Sequence, residues 1–197
     1  MKRLLIALCP LIFALPAESA FVYSGLQNIV IPTGPNDLYT DIDNGTTSST
    51  IMPGSDLSAF FGGSWLMNLA TFQPARTGTH YEDAIVSLAT GTLISDSLNF
   101  STGIGASGSP NIHMGPAANQ FFPGSEAYLG FKFTKNNSAG PYFGWMRVVF
   151  TSDTSGGLIK DWMFDDSGVP IIVGAPEPHR AILVLFGLMV SLKRRRR

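Results

Sequence analysis

The sequence contains few charged residues, one cysteine and no long apolar run. Charged side chains make up 14% of the 197 residues, against about a quarter in ordinary globular proteins. No twelve-residue window repeats apolar residues at helical spacing with capping signals, so helices are expected to be scarce. The single cysteine, Cys9, lies in the N-terminal apolar stretch. The rest of the chain therefore has no disulfide, no thiolate nucleophile and no cysteine metal site.

Charge is distributed unevenly along the chain. Basic residues cluster at the two ends, while residues 21–175 contain five basic and twelve acidic side chains, a net charge of −7. An acidic body repels phosphate backbones, so no nucleic acid partner is expected. Hydrophobic residues make up 45% of the chain, and glycine (21) and proline (13) are plentiful. This composition is typical of a turn-rich β protein that can bury a core.

Residues 1–20 have the organisation of a secretory signal peptide. The two basic residues after Met1 precede an apolar run, Leu4–Leu15, and small residues follow it. The run is shorter than the about 20 residues that a spanning helix needs, so cleavage is expected rather than permanent anchoring. Cleavage after Ser19 or after Ala20 fits the pattern. Export through the Sec translocon follows from this prediction.

The C-terminal segment, residues 175–197, has three parts. A Pro-Glu-Pro motif is followed by an uncharged apolar run, Ala181–Leu192, and by a basic cluster. The motif is Pro176, Glu177 and Pro178, and the cluster is Lys193, Arg194, Arg195, Arg196 and Arg197. As a helix the run would be about 18 Å long, a short span that flanking arginines and local bilayer thinning accommodate, and the cluster would act as a cytoplasmic stop-transfer signal. The alternative is a final amphipathic or buried helix, although the run has no polar face.

This tripartite tail resembles the PEP-CTERM sorting signal of exported proteins in Gram-negative, exopolysaccharide-producing bacteria. The resemblance implies processing near the Pro-Glu-Pro motif by exosortase, a membrane protease-transpeptidase. It also implies transient anchoring in the inner membrane by a short C-terminal transmembrane helix, and a final location at the cell surface or outside the cell. His179 and Arg180 differ from the small or hydroxyl residues that often follow the motif.

Residues 21–174 have the pattern of an all-β domain. Apolar runs alternate with Gly, Asn and Ser turns throughout. Three of the runs, Tyr128–Thr134, Tyr142–Phe150 and Leu158–Phe164, are separated by two short loops, which predicts an antiparallel meander. The expected fold is an antiparallel β-sandwich of jelly-roll type.

Alternation within the meander predicts which side chains share a face. Trp145 and Arg147 are expected on one face of their strand. Met146 and Val148 are expected on the other. Arg147 would then lie beside Asp161 of the next strand, and we expect these two side chains to pair.

The body also resembles the ectodomains common among PEP-CTERM proteins. The resemblance lies in the stretches AFVYSGLQNIVIP, DIDNGTT, YLGFKFT and YFGWMRVVF…IKDWMFDDSG. Many such ectodomains look like concanavalin-like or jelly-roll modules. The resemblance therefore implies a fold and a location, and it implies no reaction.

The stretch DLYTDIDNG places oxygen-bearing side chains close together in the sequence. Asp37, Asp41, Asp43 and Asn44 fall within eight residues. Oxygen ligands suit Ca²⁺, but Gly45 stands where a calcium loop needs a further ligand. A solvated cluster that forms a turn is the favoured interpretation. The sequence thus predicts no cofactor, and this stretch is its one weak calcium candidate.

No arrangement of catalytic residues is recognisable, and the protein is predicted not to be an enzyme. The glycine-rich stretch 103–108 matches a nucleotide-binding pattern by letter, but no helix follows, and a flexible loop is expected. His80 and His113 have no serine in a nucleophile-elbow context. Asp165 and Asp166 follow a strand and could join a metal site, but a turn-capping role is the favoured interpretation. Carboxylates that a glycosidase would need exist without an evident pairing: Glu82, Asp83, Glu126 and Asp161.

The sequence therefore predicts an exported protein with a structural or interaction role. The alternative is a lectin-like module that binds carbohydrate, including exopolysaccharide, by stacking sugar rings on aromatic side chains. Trp65, Tyr81 and Tyr142 lie near loops and are the residues suggested for this. Burial of the same aromatics in the core is the favoured interpretation.

Overall fold

The computed structural model describes residues 21–63, 65–69, 71–80, 83–101, 105–106, 121–135, 140–151 and 156–174. Within these ranges the chain forms fifteen strands and one 3₁₀ turn. The strands are β1 (Phe21–Tyr23), β2 (Ile29–Ile31), β3 (Leu38–Asp41), β4 (Thr46–Ser48), β5 (Leu57–Phe60), β6 (Trp65–Asn68), β7 (Gln73–Arg76), β8 (Ser87–Leu88), β9 (Leu93–Ile94), β10 (Asn99–Phe100), β11 (Gly105–Ala106), β12 (Glu126–Phe133), β13 (Tyr142–Val149), β14 (Gly157–Asp165) and β15 (Ile171–Ile172), and the 3₁₀ turn is Phe61–Gly63.

The described part of the chain contains no α-helix, which confirms the all-β prediction. A helix long and apolar enough to cross a bilayer is likewise absent from those ranges. The predicted signal peptide, residues 1–20, and the predicted sorting tail, residues 175–197, lie outside them.

The strands are arranged in two antiparallel sheets and a ribbon. The large sheet has the order β1-β14-β13-β12-β7-β10, with β2 also paired to β14 and β8 to β12. The small sheet has the order β11-β6-β5-β3-β4. The ribbon consists of β9 and β15. Consecutive strands pair in β3-β4, β5-β6, β12-β13 and β13-β14, where short turns join antiparallel strands directly, and the other pairings join strands that are not consecutive in the sequence.

The centre of the large sheet is the predicted meander. Strands β12, β13 and β14 are eight, eight and nine residues long, within two residues of the predicted bounds at each end. Met146 and Val148 face the main core and Trp145 faces the opposite side, as the alternation predicted.

Apolar side chains cover the large sheet on both faces. The main core lies between the sheets and combines Leu57 and Ala59 of the small sheet with Phe131 and Trp162 of the large one. A second cluster lies on the outer face of the large sheet, where the ribbon packs over it. Its members are Leu88, Ile94, Phe143, Trp145, Met163, Ile171 and Val173. The two buried tryptophans of the meander therefore belong to different cores.

A β-bulge in β14 alters the alternation of the meander. Arg147 pairs with Asp161 and Val148 pairs with Ile159, so Lys160 is an extra residue in the ladder. A bulge of this kind lets two consecutive side chains emerge on the same side of a strand. Lys160 and Asp161 both reach charged partners on the outer face, while Ile159 remains in the main core.

The predicted pair between Arg147 and Asp161 is confirmed. Arg147 Nε donates to Asp161 Oδ1 at 2.9 Å, and Nη2 donates to Oδ2. Asp161 is 1% exposed, and the Tyr23 hydroxyl donates to it at 2.8 Å. Glu126, which is more exposed, contacts both Arg147 and Lys160. This network joins β1, β12, β13 and β14 across the outer face of the large sheet.

Two segments that were expected to be loops contain strands. The polar stretch 44–50 includes β4, which pairs with β3 at the edge of the small sheet. Its side chains are mostly exposed, so it needs no apolar pattern. The glycine-rich stretch 103–108 includes β11, which pairs with β6. In both cases the strand is defined by backbone hydrogen bonds to a neighbouring strand. The side chains of these short segments do not show the alternation that would predict a strand from the sequence.

Gly144 allows β12, β13 and β14 to pack closely. A Cβ atom at this position would lie 2.4 Å from Phe131 Cζ and 2.7 Å from the Met163 carbonyl oxygen. We expect Gly144→Ala to lower the free energy of unfolding by about 1–3 kcal/mol, because a backbone oxygen cannot move aside as a side chain can. Urea denaturation measures this. Gly34→Ala is the control, since nothing lies within 4 Å of its added Cβ; equal stability of the two variants would contradict the prediction.

Candidate functional site

Three carboxylates converge at one end of the small sheet. One oxygen from each of Asp41, Asp43 and Asp56 lies within 4.8 Å of the others, and Asp41 and Asp56 are buried. Strand pairing brings them together. Thr40 is opposite Leu57 in the ladder between β3 and β5, which puts Asp41 and Asp56 at the next opposing position. Asp43 follows in the turn between β3 and β4.

Local hydrogen bonds hold the carboxylates in place. Asn44 donates to Asp41 from its backbone N–H at 3.0 Å and from its side-chain amide at 2.9 Å. The same amide donates to Asp43 Oδ1 at 3.2 Å. The Ile42 N–H donates to Asp56 Oδ2 at 2.8 Å. Amide groups of Ile42 and Asn44 in the turn therefore donate hydrogen bonds to all three carboxylates.

Residues of the large sheet and the segment after β12 pack beside this turn. Trp162 Nε1 donates to the Ile42 carbonyl oxygen at 3.0 Å, which ties the turn to the main core. Lys135 Nζ lies 4.6 Å from the ring centre of Phe164 and 5.3 Å from that of Tyr142. The charge of Lys135 acts to lower the pKa of Asp43, but burial and the neighbouring Asp41 outweigh it.

The proximity of the carboxylates changes their proton affinities. Burial raises the pKa of Asp56 to about 7, and the charges of Asp43 and Asp41 act in the same direction. Burial, together with the hydrogen bond to Asp41, raises the pKa of Asp43 to about 6. Burial also acts to raise the pKa of Asp41, but hydrogen bonds from Asp43 and Asn44 outweigh it and lower the pKa overall. Asp41 is therefore the member that retains its charge most readily.

The arrangement has two ways to neutralise its charge. The first is protonation, in which Asp43 donates a hydrogen bond to Asp41 and Asp56 is neutral. The second is a hard cation, because oxygens on opposite sides of a Ca²⁺ ion are about 4.8 Å apart when each ligand distance is about 2.4 Å. Asp41, Asp43 and Asp56 are the residues that would hold such an ion.

The structure changes the membership of the acidic group that the sequence suggested. Asp37 accepts hydrogen bonds from the Ser58 hydroxyl at 2.6 Å and from the Tyr39 hydroxyl at 3.1 Å, away from the cluster. Asp56 takes the place that Asp37 was expected to have. Since Asp56 precedes β5 and is 15 residues from Asp41, only the pairing of β3 with β5 reveals the neighbourhood.

Other residues singled out in the sequence have ordinary structural roles or lie outside the described ranges. Asp165 accepts hydrogen bonds from the N–H groups of Ser167 and Val169 at 2.8 and 3.4 Å, the predicted turn-capping role. Tyr142 is buried, so its ring is not open to a sugar. Outside the described side chains lie Trp65, Tyr81, Glu82, His113, Pro176, Glu177, Pro178, Lys193, Arg194, Arg195, Arg196 and Arg197.

Three comparisons with known proteins complete the description. The chain matches no protein-family model, no curated protein and no solved structure. The family of the chain is therefore not shown by similarity.

Proposed function

We propose that this chain is an exported, non-catalytic surface or extracellular-matrix protein that exosortase sorts through its C-terminal tail. The observation that carries the proposal is the order of three features in residues 175–197: the Pro-Glu-Pro motif, the apolar run and the basic cluster. Together with the leader, residues 1–20, these features define a route through the Sec translocon to the inner membrane, and from there to the cell surface or the exopolysaccharide.

Features of the body support a structural role. The described strands begin at Phe21 and end at Ile172, between the leader and the tail. Beyond the leader the chain has no cysteine, so the body must be held together without disulfides. The two apolar clusters and the ion-pair network around Asp161 provide that stabilisation. We further propose that the two sheets form a sandwich of jelly-roll type.

The lectin-like alternative is less well supported. Of the three aromatic residues suggested for stacking on sugars, Tyr142 is buried in the main core. The network that engages Asp161 and Glu126 consists of ion pairs with Arg147 and Lys160, which also accounts for these two carboxylates without a hydrolytic role. We therefore propose a structural or interaction role before carbohydrate recognition.

The proposal is tested by the intact mass of the protein from its native host, with and without the exosortase gene. We expect loss of the residues that follow the Pro-Glu-Pro motif only when the enzyme is present. Glu177→Ala should prevent this processing. Asp166 is an exposed acidic residue of the body, and Asp166→Ala should leave the processing unchanged. A full-length tail in both strains would mean that the tail is a plain anchor and that the sorting proposal is wrong.

A further inference from the structure

The outer side of the ribbon carries an apolar patch. In the ribbon Ile171 pairs with Ile94 and Ile172 pairs with Leu93. Ile94 and Ile171 are buried against the large sheet, whereas Leu93 and Ile172 are 50% and 48% exposed. An antiparallel ribbon with one buried face normally carries polar residues on the other. Here both members of the outward cross-strand pair are apolar.

A third side chain extends this surface. Val169 is 50% exposed and lies three residues before Ile172, in the segment that enters β15. We call Leu93, Val169 and Ile172 the ribbon patch. Exposed apolar residues that are scattered singly need no explanation, whereas these three lie on an adjacent cross-strand pair and in the segment that enters the same strand.

The length of the chain beyond the ribbon limits what can cover the patch. Six residues lie between Gly174 and the start of the apolar run at Ala181, which makes seven Cα-to-Cα steps. Fully extended, these seven steps span at most about 25 Å. A body of about 150 residues is roughly 40 Å across. While the run is in the bilayer, Gly174 and the ribbon just before it therefore lie within about 25 Å of the membrane, which is less than the width of the body.

We propose that the ribbon patch rests on the lipid bilayer while the tail is inserted. This inference rests on the proposed function, since it requires residues 181–192 to be in the membrane. Apolar side chains that face a bilayer at short range gain by entering the boundary between headgroups and acyl chains. Asp96, two residues after β9, is paired with Lys132 at 3.2 Å, which reduces its repulsion from anionic lipids. Asp166, three residues before Val169, is the exposed acidic side chain on the other strand's side. Docking would orient the body and present the Pro-Glu-Pro motif at the membrane surface.

The test uses the full chain with its tail, reconstituted into phosphatidylethanolamine–phosphatidylglycerol vesicles that contain a nitroxide-labelled lipid. Cys9, the only cysteine, is changed to Ser so that a single fluorophore can be attached to Leu93→Cys or Ile172→Cys. Ile51→Cys is the matched control, because Ile51 is 70% exposed and lies between β4 and β5 of the opposite sheet. We expect the lipid nitroxide to quench positions 93 and 172 several-fold more than position 51.

Two results would overturn the proposal, and they are distinguishable. Equal quenching at all three positions in protein that sediments with the vesicles would leave the membrane tail intact and remove the docking role of the ribbon patch. Failure to sediment with the vesicles would contradict membrane insertion of residues 181–192. This result would contradict both the membrane anchoring in the proposed function and the docking of the ribbon patch, which depends on it.

Discussion

Arg147→Met should destabilise the protein by about 3 kcal/mol, because it leaves a buried carboxylate without its cation. Asp161 is 1% exposed, and after the change the Tyr23 hydroxyl would be its remaining described partner. The value falls at the lower end of the range for buried ion pairs because the Arg147 side chain itself is 26% exposed. Urea denaturation followed by tryptophan fluorescence measures the loss.

Two further variants separate the burial of charge from simple loss of contacts. Adding Asp161→Asn to Arg147→Met should recover at least half of the lost stability, because no unpaired charge then remains and asparagine still accepts from Tyr23. Lys132→Met on the same sheet removes an ion pair whose acid, Asp96, is 73% exposed, and should cost less than about 1 kcal/mol. A double variant as unstable as Arg147→Met alone would show that buried charge is not the cause.

Asp56→Asn should make the protein more stable above neutral pH, by about 2–4 kcal/mol at pH 8 in the absence of divalent cations. At this pH the buried carboxylate is ionised against the charges of Asp41 and Asp43. Asparagine keeps the acceptor for the Ile42 N–H and carries no charge. Stability measured from pH 4 to pH 8 tests the prediction.

The sign of the pH dependence follows from the two raised pKa values. Asp56, with a pKa of about 7, and Asp43, with a pKa of about 6, hold their protons more tightly in the folded protein than in the unfolded chain, where the pKa of Asp is about 3.9. Their contribution to stability is therefore complete below about pH 4 and is lost as the pH rises towards 7. Asp56→Asn should flatten this decline, whereas Asp37→Asn, outside the cluster, should not.

Calcium distinguishes the two ways in which the cluster neutralises its charge. If the three carboxylates bind Ca²⁺, millimolar Ca²⁺ should stabilise the native chain at pH 8, because a ligand that binds only the folded state shifts the equilibrium towards it. Asp56→Asn should lose most of that gain. If Ca²⁺ changed the stability of the native chain and of Asp56→Asn equally, protonation would be the way in which the three carboxylates lose their charge.

The sequence by itself determined the class of the fold and the central meander. Strands β12, β13 and β14 are long, apolar at alternate positions and joined by short turns, so the pattern that predicts them is local. The pairing of Arg147 with Asp161 was also predictable, because the two residues lie on neighbouring strands of that meander. The leader and the tail are predicted from composition and order alone and lie outside the described residues, so they stay predictions.

Tertiary structure alone decided the composition of the acidic cluster and the division of the core. Asp56 joins Asp41 and Asp43 only because β3 pairs with β5, a register that no local pattern encodes. Trp145 and Trp162 lie in separate cores because the ribbon covers the outer face of the large sheet. Short strands such as β4 and β11 form because partner strands satisfy their backbone groups. Contacts between segments distant in the sequence determine these features, whereas the meander follows from residues that are neighbours in it.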